Sequence, residues 1–167
     1  MNSNVVELIA QYRDKGILID TNLFLVLLVG NIDRRLVGRI GKTDKYTCDD
    51  YERITDILRQ FNRFIIVPQV LTETGNMLKR NCPTANTLLD LSLELKRFVH
   101  DEATRESRGL SKRITIHPAF EDLGYADAAI LHAAAGRHLV FTDDGPLKGL
   151  AWSSGVDVLP YEWLRGI

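Results

Sequence analysis

The chain is poor in the residues that staple small proteins. It has two cysteines, Cys48 and Cys82, far apart in sequence. Two unpaired thiols fit a reducing compartment better than a disulfide framework, and no Cys/His cluster has zinc-ligand spacing. Long apolar runs are missing too. The longest is residues 23–29, preceded by Asp20 and Asn22, and it is too short to cross a bilayer. The first seven residues lack a basic stretch followed by an apolar core, so no secretory leader is expected. A cytoplasmic protein without a membrane partner is expected. Excess charge of one sign is also absent: the net charge is −1, with 21 Lys and Arg against 22 Asp and Glu. Any nucleic-acid contact must therefore come from local basic patches. There is no internal repeat, low-complexity tract, G-x-S-x-G elbow or P-loop.

What is present is an ordinary globular composition, 45% apolar and 26% charged over 167 residues, enough for one domain with a real core. Short β-rich runs alternate with helical stretches. That pattern predicts an α/β domain with a central, mainly parallel sheet flanked by helices. Strands are expected at 17–20, 64–67, 114–116, 138–142 and 156–159. Helices are expected at 5–12, at 23–29 ending on Gly30, at 51–61 capped by Asp49 or Asp50, at 69–80 with Pro68 in the first turn, at 83–100 and at 125–137. Residues 31–48 interrupt the rhythm and read as a net-basic insertion, partly helical over 34–40; residues 102–112 read as a polar loop.

Four acids carry the chemistry. In an open parallel sheet, ligands bind beyond the carboxyl ends of the strands. Asp20 and the pair Asp143 and Asp144 stand at such ends, where each could also serve as a helix N-cap or turn residue. Glu73 lies three residues after Val70 and four before Met77, inside the apolar stripe of its helix. Asp127 shares a face with Ile130, Leu131 and Ala134. A core-facing carboxylate must be paired, protonated or bound to metal, and neither helix offers an arginine at a matching position. Carboxylates that converge raise one another's pKa, and a divalent cation removes the conflict. Hard oxygen ligands suit Mg²⁺ or Mn²⁺, which can generate a hydroxide nucleophile for attack at phosphorus.

Four blocks then occur in order: Ile17-Leu18-Ile19-Asp20-Thr21-Asn22, Val67-Pro68-Gln69-Val70-Leu71-Thr72-Glu73-Thr74-Gly75-Asn76, Leu123-Gly124-Tyr125-Ala126-Asp127-Ala128-Ala129-Ile130, and Val140-Phe141-Thr142-Asp143-Asp144. Together they resemble the signature blocks of PIN-domain ribonucleases, a family that includes the toxin nucleases of toxin–antitoxin pairs. The resemblance implies a single Rossmann-like, three-layer PIN-like domain with an acidic, metal-dependent nuclease site. It assigns Asp20, Glu73, Asp127 and Asp144 as catalytic acids, with Asn22 and Thr142 as supporting polar groups and Asp143 as the rival for the fourth acid. The metal ligands come from these same acids, with Mg²⁺ or Mn²⁺ as cofactor. The chain is longer than the compact toxins, by its opening helix and by the insertion at 31–48.

RNA is the expected partner, with Arg34, Arg35 and Arg39 of the insertion as candidate phosphate contacts. A second basic stretch runs over 96–113. Tyr46, Tyr51 and Tyr125 are candidate stacking platforms for unpaired bases. A cognate antitoxin and a homodimer through the apolar face of 83–100 are further expected partners. The leading expectation is a metal-dependent endoribonuclease leaving 5′-phosphate and 3′-hydroxyl ends. Two alternatives stay open: a non-catalytic RNA- or protein-binding module on the same scaffold, and an RNA-processing or DNA nuclease outside a toxin–antitoxin system. A haloacid-type phosphatase would want an aspartate where Asn22 stands.

Overall fold

Wholly apolar triplets form the middle of the sheet. In the computed structural model, which describes residues 3–165, β1 (Ile17–Ile19) is buried at all three positions. It is flanked by β2 (Phe64–Ile66) on one side and β4 (Leu139–Thr142) on the other. The edges are β3 (Thr104–Glu106) and β5 (Val158–Pro160), giving the order β3-β2-β1-β4-β5 with every pairing parallel. Leu18 sits in register between Ile65 and Val140. Continuous apolar strands without polar alternation mark a parallel sheet covered on both faces. The architecture is α/β, consistent with a Rossmann-like three-layer domain. Met1 and Asn2, part of the stretch read for a leader, lie outside the described residues.

The third strand is not where the sequence pattern placed it. Residues 114–116 belong to a helical turn, and the strand is Thr104–Glu106, inside the stretch read as a loop. In a strand Ile114 and Ile116 would share a face; here Ile114 is 1% exposed and Ile116 76%, the split a helical turn imposes. The true strand escapes notice because it is a polar edge, with only Thr104 buried.

The helices are α1 (Ser3–Tyr12), α2 (Thr21–Asp33), α3 (Cys48–Leu58), α4 (Pro68–Asn81), α5 (Ala85–Val99), α6 (Ser111–Thr115), α7 (Ala119–Leu123), α8 (Tyr125–Ala134) and α9 (Gly145–Ser153). α2 is the central helix: residues Leu23 to Gly30 are buried in succession, and it packs on α3, α4 and α5. It runs through Gly30 instead of ending there, because that glycine is where the Tyr51 ring of α3 lies on the helix backbone. A Cβ at Gly30 would stand 2.1 Å from the ring. α3 begins earlier than expected. Thr47, not Asp49 or Asp50, is its N-cap, and Asp50 closes a capping box by accepting from the Thr47 amide at 2.8 Å. Pro68 opens α4 as anticipated. α8 stops at Ala134, short of 137, and the chain turns at Gly136 with φ 67° before entering β4.

Of the stretch 31–48, residues 31–33 finish α2 and Cys48 opens α3, and between them lie two 3-10 turns, Arg34–Leu36 and Gly41–Thr43, rather than one helix over 34–40. Both turns pack on α2, and the second also packs on α4. Thr43, fully buried, ties the second turn together by accepting from the Gly38 amide (3.1 Å) and donating to the Ile40 carbonyl (2.7 Å). Among the described residues no helix is long and apolar enough to cross a membrane.

Candidate active site

The strand order turns back between β1 and β4, so their carboxyl ends splay apart into a crevice, the usual ligand position in such sheets. Asp20 follows β1 directly. Its amide still pairs with the Phe141 carbonyl of β4 (3.1 Å), and its Oδ1 caps α2 by accepting from the Leu23 amide (2.8 Å). Its Oδ2 accepts from the Thr142 hydroxyl and from the Asp143 amide (3.3 Å). Thr142 is fully buried, and its oxygen also accepts from the Asp144 amide at 2.9 Å. Asp144 in turn caps α9 through the Leu147 amide, at 2.8 Å. One threonine thus links the carboxylate at the end of β1 to the acid at the end of β4. On the other side of Asp20, Thr21 donates to Glu73 Oε2 of α4 at 2.7 Å. Asp127 enters from the first turn of α8.

Asp20, Glu73, Asp127 and Asp144 line a single small cavity of about 130 Å³. The cavity has the volume of a few waters and is far too small for a nucleotide. Thr21, Asn22 and Met77 complete its wall, together with Lys42 from the second 3-10 turn. The acids are not neutralised by protein cations. Among the described residues no Lys, Arg or His forms an ion pair with any of these four. The consequence shows in their protonation. Burial, reinforced by the charge of Asp143, pushes Asp20 up to about 7 even though Thr142 and two backbone amides favour its charged form. Burial first, then the charges of Asp144 and Glu73, push Asp127 up to about 7 as well. Two acids at the site therefore hold protons close to neutrality.

Asp143 is placed differently. It does not line the cavity; its Oδ2 lies 2.5 Å from both Lys45 Nζ and the Tyr46 hydroxyl. That leaves Asp144 as the acid of this pair at the cavity. Asn22 lines the wall, and Thr142 acts from behind it.

The basic residues are divided in the same way. Arg34 pairs with Glu52 (2.6 Å) and Arg35 with Asp33 (2.8 Å), both on the surface, and neither these nor Arg39 line the cavity. Lys42 does, although in the sequence it reads only as part of a charged stretch. Nothing local marks it; its position depends on the packing of the Gly41–Thr43 turn against α2 and α4. Two of the three tyrosines are not free to stack on bases. Tyr46 is 2% exposed and packed against Tyr161, and Tyr51 covers Gly30 while donating to Asn31 at 3.0 Å. Tyr125, 38% exposed, remains available. In the second basic stretch Arg97 pairs with Glu94 and Arg108 with Glu106, and none of its residues lines the cavity.

The donor set is all hard oxygen, which suits Mg²⁺ or Mn²⁺. Among the described residues, no three His, Cys, Asp or Glu side chains close into a ready-made metal cage. An ion that keeps several of its own waters needs only one or two direct carboxylates, so an open ring of acids around a cavity still fits it. No family model and no curated protein matches the chain. What fold and site define is an α/β domain with an unneutralised acidic cavity at its switch point.

Proposed function

We propose that the protein is a divalent-metal-dependent endoribonuclease of the PIN-like kind. The observation that carries this reading is the meeting of Asp20, Glu73, Asp127 and Asp144, from four separate segments, around one cavity where, among the described residues, none of them forms an ion pair. A ring of carboxylates, with Asp20 buried and the other three half-buried, is costly to keep for stability alone. Its presence at the switch point supports a role in binding a cation. Mg²⁺ or Mn²⁺ bound there would supply a water-derived nucleophile and charge neutralisation at the phosphodiester.

The chain's own groups divide the remaining work. Asp20, Asp127 and Asp144 would hold the cation, with Glu73 completing the ring of carboxylates. Thr142 fixes the orientation of Asp20 and so the direction of its free electron pairs. Thr21 does the same for Glu73. Lys42, the one positive side chain at the cavity wall among the described residues, would meet a phosphate oxygen. Products carry 5′-phosphate and 3′-hydroxyl ends. The free thiols Cys48 and Cys82 fit a cytoplasmic setting. A toxin role with a cognate antitoxin, and a homodimer, rest on the sequence resemblance. The open spacing of the acids favours one competing reading, a binding module that retains the scaffold without cleaving.

The test is incubation of end-labelled single-stranded RNA with the protein in Mg²⁺, Mn²⁺ or EDTA, followed by analysis of product ends. Metal-dependent fragments with 5′-phosphates support the reading. RNA binding without cleavage in either metal selects the binding module.

A further inference from the structure

Beside the acid cavity lies a second, larger hollow of about 400 Å³ between α4 and α8, with Glu73 as the shared wall. The two differ in chemistry. The first is a ring of carboxylates; the second is lined by Pro68, Gln69, Asn76 and the ring of Tyr125. Gln69, Glu73 and Asn76 recur at i, i+4 and i+7 and therefore stand on one face of α4. Gln69 Oε1 is sealed from solvent and has no hydrogen-bond partner, an acceptor left without its donor. The Tyr125 hydroxyl, in the same hollow, donates to Ser111 Oγ at 2.7 Å. Gln69 as a whole is only half-buried and lines the hollow, and its terminal torsion is of the broad kind that can reorient the acceptor. The Thr72 hydroxyl is already spent on the Pro68 carbonyl (2.9 Å) and does not compete. Phe120 packs edge-on to the Tyr125 ring (6.3 Å, 85°) and holds its orientation.

An aromatic face, two carboxamides and an unsatisfied acceptor describe a seat for a flat, neutral heterocycle with N–H donors. Glu73 at the boundary disfavours a phosphate in the hollow itself. The volume falls in the range of small-ligand sites, roughly 300–1,000 Å³, whereas the acid cavity is too small for any nucleotide. We infer that this hollow seats one unstacked base of single-stranded RNA beside the scissile phosphodiester, its ring lying on Tyr125 and its donor edge on the Gln69 and Asn76 carboxamides. The inference rests on the ribonuclease reading for the position of the phosphodiester. It adds where sequence preference arises: Tyr125 stacking tolerates any base, and the two carboxamides select by hydrogen bonding.

The experiment is an abasic scan. A single-stranded RNA oligonucleotide is made as a set, each member lacking one base, and its affinity for Asp20→Asn protein is measured by fluorescence anisotropy; cleavage of the intact RNA by the unmodified protein is measured in parallel. The expected result is one position, adjacent to the cut, where base removal weakens binding about tenfold or more. Gln69→Ala and Tyr125→Ala should remove that sensitivity, while Tyr125→Phe, which keeps the ring, should retain most of it. Circular dichroism of each variant checks folding. Cleavage with a flat abasic scan overturns the base seat and leaves the nuclease reading standing. Base sensitivity without cleavage in any metal leaves the seat and overturns the nuclease reading. No binding of intact RNA overturns the seat together with the RNA substrate.

Discussion

The hydroxyl of Thr142, at the end of β4, donates to Oδ2 of Asp20, at the end of β1. Because the same oxygen accepts from the Asp144 amide, a side chain with no charge sets the spacing of two acids. Hydrogen bonds to charged groups contribute roughly 1.5–3 kcal/mol. Thr142→Val keeps the shape and removes the bond. The expected outcome is a fall of about ten- to a hundredfold in single-turnover cleavage, with Thr142→Ser retaining most of the rate. Equal rates for the Val variant and the unmodified protein would remove Thr142 from the account.

Protonation gives a second expectation, with a definite sign. Asp20 and Asp127 keep their protons to about pH 7 in the folded chain, against 3.8 for an ordinary aspartate. Between those values the folded state binds more protons than the unfolded state, so stability must fall as pH rises through this window. In EDTA, the denaturation midpoint should be higher at pH 5.5 than at pH 8. Asp127→Asn should flatten the difference, and Mn²⁺ should bind more tightly at pH 8 because it no longer competes with protons. A metal-free protein that gains stability across the same interval would contradict the repulsive cluster.

Lys42 separates from the arginines of the same stretch. Lys42→Ala should lower the cleavage rate about tenfold or more, with Lys42→Arg recovering part of it, since a charge at the cavity wall acts on the reacting phosphate. Neutralising Arg34, Arg35 and Arg39 together should weaken RNA binding and flatten its salt dependence, leaving the rate at saturating RNA near its original value. The comparison is read from rates and affinities at several salt concentrations.

Asp50 offers a test of stability apart from the site. It closes the α3 capping box and accepts from the Tyr161 hydroxyl and from Arg165 at 3.2 Å, joining the end of the basic stretch to the last described turn. Asp50→Ala should cost about 2–4 kcal/mol, the sum of a lost cap and an orphaned buried hydroxyl. For a chain of this length that lowers Tm by roughly 4–16 °C. Gly30→Ala should also destabilise, by about 1–3 kcal/mol, as a methyl group is driven against the Tyr51 ring.

How much of this was legible in the chain depends on range. β1 and β4 are apolar strings that end in acids, and Pro68 announces α4, so the centre of the sheet and the positions of Asp20 and Glu73 follow from local pattern. Asp127 is legible because a carboxylate inside an apolar helical stripe needs a reason. β3 is not, because a polar edge strand carries no period-2 apolar signal, while Ile114-Thr115-Ile116 imitates one. Asp143 and Asp144 are adjacent acids with the same local chemistry. What separates them is Lys45 and Tyr46, about a hundred residues earlier, which engage the Asp143 carboxylate while Asp144 lines the cavity. Lys42 and Gln69 are hidden for the same reason: their meaning comes from α4, α8 and the Gly41–Thr43 turn coming together.

The most direct test of the central claim is single-turnover cleavage of one RNA by four proteins, unmodified, Asp127→Asn, Asp144→Asn and Asp143→Asn, each in Mn²⁺ and in EDTA. Mn²⁺-dependent cleavage should be lost in the Asp127 and Asp144 variants and survive in the Asp143 variant, whose side chain does not line the cavity. Cleavage that persists in EDTA, or that the Asp127 and Asp144 variants retain while folded, would contradict that claim.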